Sequence, residues 1–229
     1  MALLAPLPDD TLRIPARAHT LAGFREWAHS EDFPEHERID FLGGEVEVEM
    51  SPEDLQSHGA LKAEIAAVLH ELVARRRLGH VFIDRARVSA PEVELSAEPD
   101  VVVVLRESLE AGRVRYLPSP GKGPGRFAEI EGAPDLVVEV VSDASVRKDT
   151  ERLPRLYAAA GIPELWLADA RGAEPRLRIH RLARASYELV RPDGEGWSLS
   201  ARLEVQVRLR REVDGSGLWF FQLETRPQR

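Results

Sequence analysis

The chain has no cysteine among its 229 residues, which excludes disulfides, thiolate metal sites and a cysteine nucleophile. Lysine is nearly absent: Lys62, Lys122 and Lys148 are the whole set, and all other basic charge is arginine. No apolar run reaches the length of a membrane span, and uninterrupted stretches such as Val101–Leu105 are strand-sized. The apolar segment Met1–Asp10 lacks a basic leader and a following cleavage pattern, so it is a poor signal peptide. A glycine-rich phosphate loop and a G-x-S-x-G elbow are also missing, which leaves an ATPase or a serine hydrolase little support. Together these absences favour a cytoplasmic protein.

What is present is a foldable, acidic chain. Hydrophobic residues make up 43% of it, and the length fits one large domain or two small ones. A formal charge of −8 argues against a broad, non-specific nucleic-acid surface. Positive charge is nevertheless clustered at Arg75, Arg76, Arg77, Arg85 and Arg87, and again at Arg208, Arg210 and Arg211. The Arg75–Arg77 run reads most simply as a solvated helix C-terminus complementing the dipole, with phosphate contact as the sharper reading.

Local patterns set the elements. Thr20 can cap a helix carrying Leu21, Phe24 and Trp27. The stretch RIDFLGGEVEVEMSP (38–52) predicts a hairpin turning at Gly43-Gly44. Its return strand alternates Glu45, Glu47 and Glu49 with Val46, Val48 and Met50, and the glutamates read as a solvated face. Ser51-Pro52, followed by Glu53 and Asp54, predicts a helix running to about Arg77 with a stripe at Leu61, Ile65, Val68, Leu69 and Leu72. Strands are expected near 80–84, 86–89, 92–95 and 99–105, then at 135–141, 163–169, 176–182, 186–191 and 203–209. The segment PSPGKGPGR between Leu117 and Phe127 is a flexible loop, and a helix ends near Gly161. No repeat or linker divides the chain, so the expectation is one α/β or α+β domain. Within it, 1–18 would be an N-terminal extension, about 20–207 the core and 210–229 a C-terminal tail.

Two acidic strands stand out. Pro99-Asp100 opens a run of valines, and Pro134-Asp135 opens PDLVVEVVS, where Glu139 sits among valines. A carboxylate there is costly without a compensating partner, either a cation-binding role or an arginine. If the two strands pair antiparallel, Asp100 approaches Glu139 and makes a seat for a divalent cation held by oxygen ligands. If they pair parallel, Asp100 meets Asp135 and Glu139 lies deeper and alone. Asp135 reads as the structural acid. Tyr157 and Trp166 read as core, and His70 and His80 as structural.

The segments GGEVEVEMSP…H, EPDVVVV and APDLVVEVVSDASVRKDTERLPRLYAAAGIPELWLAD resemble the Uma-type putative restriction endonucleases of the PD-(D/E)XK nuclease superfamily. The likeness covers roughly residues 20–207 and is most specific over 134–169. It implies a restriction-endonuclease-like mixed β-sheet flanked by helices, with Asp100 and Glu139 as ligands of magnesium (or manganese) and the Val140 carbonyl as a further ligand. DNA is the implied substrate, and a homodimer would suit cleavage of two strands. His58 matches a histidine recurrent at the family's helix start, and Glu45 and Asp40 sit where the family carries acids.

One position departs from the pattern. The superfamily lysine two residues after the glutamate is here Val141, and the Uma-type lysine four residues before Tyr157 is here Leu153. Among the three lysines, Lys148 is nearest in sequence to the acidic strand, Lys62 lies one turn beyond His58, and Lys122 sits in the Gly/Pro loop. Arg152 can act electrostatically but not as a base. The leading expectation is a metal-dependent DNA endonuclease using Asp100, Glu139 and Lys148, with Glu45 and His58 as supporting residues and Arg75, Arg76, Arg77 and Arg152 toward nucleic acid. Its rivals are a degenerate nuclease fold that binds nucleic acid or protein, and a hydrolase of another phosphoester.

Overall fold

The computed structural model describes residues 12–34 and 37–228. Helix α1 (Leu21–Ala28) precedes the hairpin of β1 (Arg38–Leu42) and β2 (Glu45–Glu49). Helix α2 (Leu61–Leu69) is prolonged at both ends by wider π-type turns, Leu55–Ala60 and His70–Ala74. Strands β3 (Gly79–Ile83), β4 (Arg87–Ala90), β5 (Leu95–Ala97) and β6 (Val101–Leu105) follow. The short helix α3 (Arg106–Glu110) leads to β7 (Val114–Pro118), β8 (Phe127–Gly132) and β9 (Leu136–Val140). Another π-type turn, Lys148–Arg152, runs into α4 (Leu153–Ala159). Strands β10 (Glu164–Asp169), β11 (Arg176–Ala183) and β12 (Ser186–Leu189) come next. Then β13 (Ser198–Ser200), β14 (Val205–Val213) and β15 (Trp219–Pro227) close the described chain.

The strands form two six-stranded mixed sheets, β2-β1-β5-β4-β8-β7 and β12-β11-β10-β9-β6-β3, and a small sheet β13-β14-β15. The α+β architecture is the expected one, with a second large sheet where a single one was foreseen. The second sheet is the middle layer. One face, with Val101, Val103, Val138 and Trp166, packs on Leu61, Ile65 and Leu69 of α2 and on the small sheet. The opposite face, with Val102, Val104, Val137 and Leu165, packs on Val88 and Leu95 of the first sheet and on Leu153 and Tyr157 of α4. Covered on both sides, β6 and β9 can be valine-rich at every position, which is why they show no alternation.

Local chemistry accounts for most boundaries. The Thr20 hydroxyl accepts from the Gly23 N–H at 3.2 Å, capping α1 and turning Leu21, Phe24 and Trp27 inward. Gly43 and Gly44 have φ of +60° and +90°, the left-handed pair that a two-residue hairpin loop requires, and Leu42 pairs with Glu45 across it. The helix expected from Ser51-Pro52 begins later. Asp54 caps it by accepting from the Gln56 and Ser57 N–H groups at 3.0 and 2.6 Å, so 51–54 stay extended and Glu53 is released from the helix. Pro154 lacks an N–H and its ring crowds the carbonyl four residues back, which suits the wider turn that precedes α4.

Five elements were not foreseen: α3, β7, β8, β13 and β15. Helix α3 and β13 are short, β7 and β8 flank the Gly/Pro loop, and β8 also pairs with the distant β4, while β15 pairs antiparallel with β14 where a tail was expected. The expected N-terminal extension falls outside the described residues up to residue 11. Residues 210–229 carry the second half of β14 and β15. There Phe221 and Leu223 are buried, and the Leu223 N–H donates to Glu64 of α2 at 2.8 Å.

A buried ion cluster ties α1 to the first sheet. Glu129 on β8 is 4% exposed and accepts from Arg25 Nε at 2.7 Å, with His29 Nε2 at 2.6 Å. Burial pushes its carboxyl up, but hydrogen bonds from His29, Ser89 and Arg25 outweigh that and hold it at about 2, against an ordinary 4.5. A depressed carboxylate stabilises the fold fully above its unfolded value, and the contribution fades as pH falls from 4.5 towards 2. Glu129→Gln is therefore expected to lower unfolding free energy at pH 7 by up to roughly 3 kcal/mol. In urea titrations the gap to wild type should narrow by pH 3; an equal gap at both pH values would contradict this account.

Candidate functional site

Strands β6 and β9 pair antiparallel, with Val101 opposite Val138, Val102 opposite Val137 and Val103 opposite Leu136. Extending that register by one step sets position 100 against position 139. Of the two pairings the sequence allowed, this is the one that brings Asp100 beside Glu139. Both carboxylates lie on the face that looks toward the first sheet, and there β1 presents Arg38. Its Nη1 lies 3.2 Å from Asp100 Oδ1 and its Nη2 3.2 Å from Glu139 Oε2, and Nη2 also donates to the Glu98 carbonyl. The Tyr157 hydroxyl donates to Glu139 Oε1 at 2.6 Å, and the Val140 N–H donates to Asp100 Oδ2 at 2.6 Å. Glu139 is thus compensated by an arginine and a phenol.

One guanidinium shared between two buried carboxylates holds them in different states. Burial pushes Asp100 up, but Arg38, His58 and the Val140 amide overcome it and keep this acid well below the ordinary carboxylate range. For Glu139, burial together with the charges of Asp100 and Asp149 outweighs Arg38 and Tyr157, so its carboxyl is raised. Asp149 itself is pushed up to about 7, chiefly by burial against a hydrogen bond from Ser145. In this arrangement Asp100 is held as the anion, and Glu139 is the more readily protonated of the two acids.

A second group reaches Asp100 from the entry of α2. His58 Nε2 lies 3.7 Å from Asp100 Oδ2, and Nδ1 lies 3.0 Å from Glu53 Oε2. That contact lacks hydrogen-bond alignment, so Nδ1 is a buried nitrogen without a hydrogen bond. One donor atom from each of Glu53, His58 and Asp100 falls within 4.8 Å of the others. Lys62 lies one turn after His58 on the same helix face, with Nζ 2.7 Å from Asp84 Oδ1, 3.1 Å from Glu53 Oε2 and 4.0 Å from Asp100 Oδ1. Burial lowers its pKa, but these acids raise it further, so it is an ammonium at neutral pH. An open cavity of about 320 Å³ is lined by Arg38, Glu53, Lys62, Asp84, Arg85 and Asp100.

The other residues singled out in the sequence lie elsewhere. Lys148 Nζ contacts Glu49 at 2.6 Å and Asp40 at 3.6 Å, and no contact joins it to Asp100 or Glu139. Lys62, not Lys148, is the lysine at the carboxylate. Glu45 is three-quarters exposed and pairs at 2.9 Å with Arg152, which also binds Glu47. The glutamate face of β2 is therefore not merely solvated. The hairpin register sets Glu49 opposite Arg38 and Glu47 opposite Asp40, so this face meets the start of α4 and its basic residues. Arg75, Arg76 and Arg77 close the far end of α2; Arg75 is 17 residues past His58, roughly 25 Å along a helix. Asp135 accepts from the Leu105 N–H and the Ser108 hydroxyl, both at 2.7 Å, as a structural acid would. Val141 and Leu153 are fully buried, so hydrocarbon fills both usual lysine positions.

Three contributors escaped the sequence reading: Arg38, Glu53 and Asp84. Glu53 read only as part of a helix start; Arg38 and Asp84 belong to no motif and reach the site only through packing.

The Uma2 family, described as "Putative restriction endonuclease", matches residues 21–213. The chain belongs to the Uma2 family. The matched span holds every residue of the site just described. No curated protein matches the chain. Among solved structures, the crystal structure of a putative nuclease belonging to DUF820 from Anabaena variabilis is similar, with a TM-score of 0.59 and 19% identity. The alignment covers 80% of this chain and 90% of that one, a likeness of fold. This Uma2 chain accordingly has a nuclease-like fold, with a carboxylate–histidine cluster at its cleft. Among the described residues, no helix is long and apolar enough to cross a membrane.

Proposed function

We propose that this Uma2 protein is a magnesium- or manganese-dependent endonuclease that hydrolyses DNA phosphodiester bonds. The observation that carries the reading is the position of Asp100, an ionised acid shared between Glu139 on one side and Glu53 and His58 on the other. The donor set fits a divalent ion: one O or N donor from each of Glu53, His58 and Asp100 lies within 4.8 Å of the others, and His58 Nδ1, 3.0 Å from Glu53, has no hydrogen bond. Asp100 would hold the ion with Glu53 and His58, and with Glu139 and the Val140 carbonyl on the strand side. When bound, such an ion lowers the pKa of a water and neutralises charge on the scissile phosphate.

The chain's own residues supply the rest. Lys62 places a fixed positive charge beside Asp100, where a phosphate oxygen can be stabilised. Tyr157 orients one oxygen of Glu139, and Arg38 holds both carboxylates together while their charges are unbalanced. We place the enzyme in the cytoplasm as a single catalytic domain.

A second reading is favoured by one observation: Val141 and Leu153 fill the usual lysine positions with buried hydrocarbon. On that reading the fold binds nucleic acid without cutting it. Supercoiled plasmid incubated with magnesium or manganese distinguishes the two. Wild type is expected to nick it and Glu139→Ala to lose nicking. DNA binding that survives Glu139→Ala, with no cleavage by either protein, would transfer the assignment to the binding reading.

A further inference from the structure

Beside the metal-ligand cleft lies a second cavity, of about 620 Å³, which is within the range of small-molecule sites. Its wall is aromatic. Phe82 and Tyr116 meet edge to face at 5.6 Å, Tyr116 and Phe127 lie 5.6 Å apart, and His80 packs on both Phe82 and Tyr116 at 5.8 Å. The Tyr116 hydroxyl is engaged with His80 Nδ1 at 2.9 Å, which fixes the two rings together. Phe127 nevertheless leaves 55% of its surface in water and Ile83 53%. Neither contributes to the clusters that hold the fold together. An exposed aromatic wall of this kind marks a surface meant to be covered.

What covers it is indicated by where it leads. Asp84 and Arg85 line both this cavity and the metal-ligand cleft, so the two adjoin. Arg85 also lines a third cavity of about 390 Å³, edged by Ser119, Pro120 and Lys122 of the Gly/Pro loop. It is exposed, and no ion pair or hydrogen bond of its side chain joins it to another described residue. The backbone at Asp84 and Arg85 is left-handed, with φ of +42° and +52°, a conformation that non-glycine residues adopt at a cost. The two acids that line the aromatic cavity itself are already matched, Asp84 by Lys62 and Glu129 by Arg25 and His29. Arg85 is thus a free cation standing between an acidic cleft and an aromatic wall.

We infer that this wall is a stacking subsite for an unpaired nucleobase, with Arg85 taking the phosphate that links it to the strand in the cleft. The inference rests on the nucleic-acid reading of that cleft and narrows its substrate to single-stranded or locally unpaired strands. A base offers a flat π-face next to a phosphate, the two features the wall and Arg85 match. A closed duplex cannot deliver one, because its bases are stacked inside.

The test uses the full chain without metal and a 12-nucleotide thymidine oligonucleotide carrying one 2-aminopurine, whose fluorescence is quenched by stacking. Wild type is expected to bind with quenching and to bind the matching duplex more weakly. Phe127→Ala should weaken single-strand binding about tenfold and abolish the quench, and Phe127→Trp should restore both. Arg85→Ala should weaken binding and flatten its dependence on salt. Absence of oligonucleotide binding, or binding unchanged in Phe127→Ala, would overturn the inference. So would a concentration-dependent dimer of wild type that Phe127→Ala abolishes in sedimentation, because the wall would then cover a second copy. Plasmid nicking is scored separately. Quenching without metal-dependent nicking leaves the subsite standing and removes the endonuclease; nicking without a Phe127 effect does the reverse.

Discussion

Asp100→Asn is expected to cut metal-dependent nicking at least about 1,000-fold while leaving the protein folded. The rate loss corresponds to several kcal/mol of transition-state charge stabilisation, the size of contribution a correctly held divalent ion makes. Folding should survive because the asparagine carbonyl can still accept the Val140 N–H that Asp100 accepts at 2.6 Å. Charge balance should survive as well. The Asp100 anion is one of the charges that raise Glu139, so removing it eases ionisation of Glu139 against Arg38. A thermal melt in chelator should therefore differ little from wild type, and calorimetric titration with manganese should show the bound ion lost. Wild-type nicking by Asp100→Asn would remove this acid from the mechanism.

Lys62→Met is expected to lower nicking about 100-fold with little change in stability, and Lys148→Met to show the opposite pattern. Lys62 stands 4.0 Å from Asp100 and lines the cleft, where one fixed donor or cation next to developing charge is worth about two to three orders of magnitude. Its own partners, Glu53 and Asp84, are about half exposed, so they can turn to water when it is removed. Lys148 is 4% exposed and neutralises Glu49 and Asp40, the latter 2% exposed. Breaking that buried pairing should destabilise by roughly 3 kcal/mol. Urea unfolding and nicking per folded molecule separate the two roles. An inactive but stable Lys148→Met beside an active Lys62→Met would return catalysis to Lys148.

The contrast between the two lysines shows which parts of the site could be read from the chain. Lys148 is close to Glu139 in sequence and pairs instead with Glu49 and Asp40; Lys62 is far in sequence and stands beside Asp100. Sequence distance ranked them in the reverse of their spatial order. Similarly, Glu139 was foreseen to need a metal or an arginine, and the arginine beside it, Arg38, comes from a different sheet. The glutamates of β2 alternate as expected, yet their face meets Arg152 and Lys148 across the gap to α4.

By itself the sequence determined the features whose causes are local: the Gly43-Gly44 hairpin, the Thr20 cap, the doubly buried valine strands and the two acids that open and close them. Each follows from backbone sterics, hydrogen-bond capping or burial within a few residues. Only the tertiary structure decided that β6 and β9 run antiparallel, that β1 lays Arg38 over the carboxylates, and that Glu53 and His58 converge on Asp100. It also decided that Phe82, Tyr116 and Phe127 meet on one wall. The physical reason is that periodicity states which side chains share a face. What lies opposite that face is set by how whole layers pack, and no short stretch of chain encodes it.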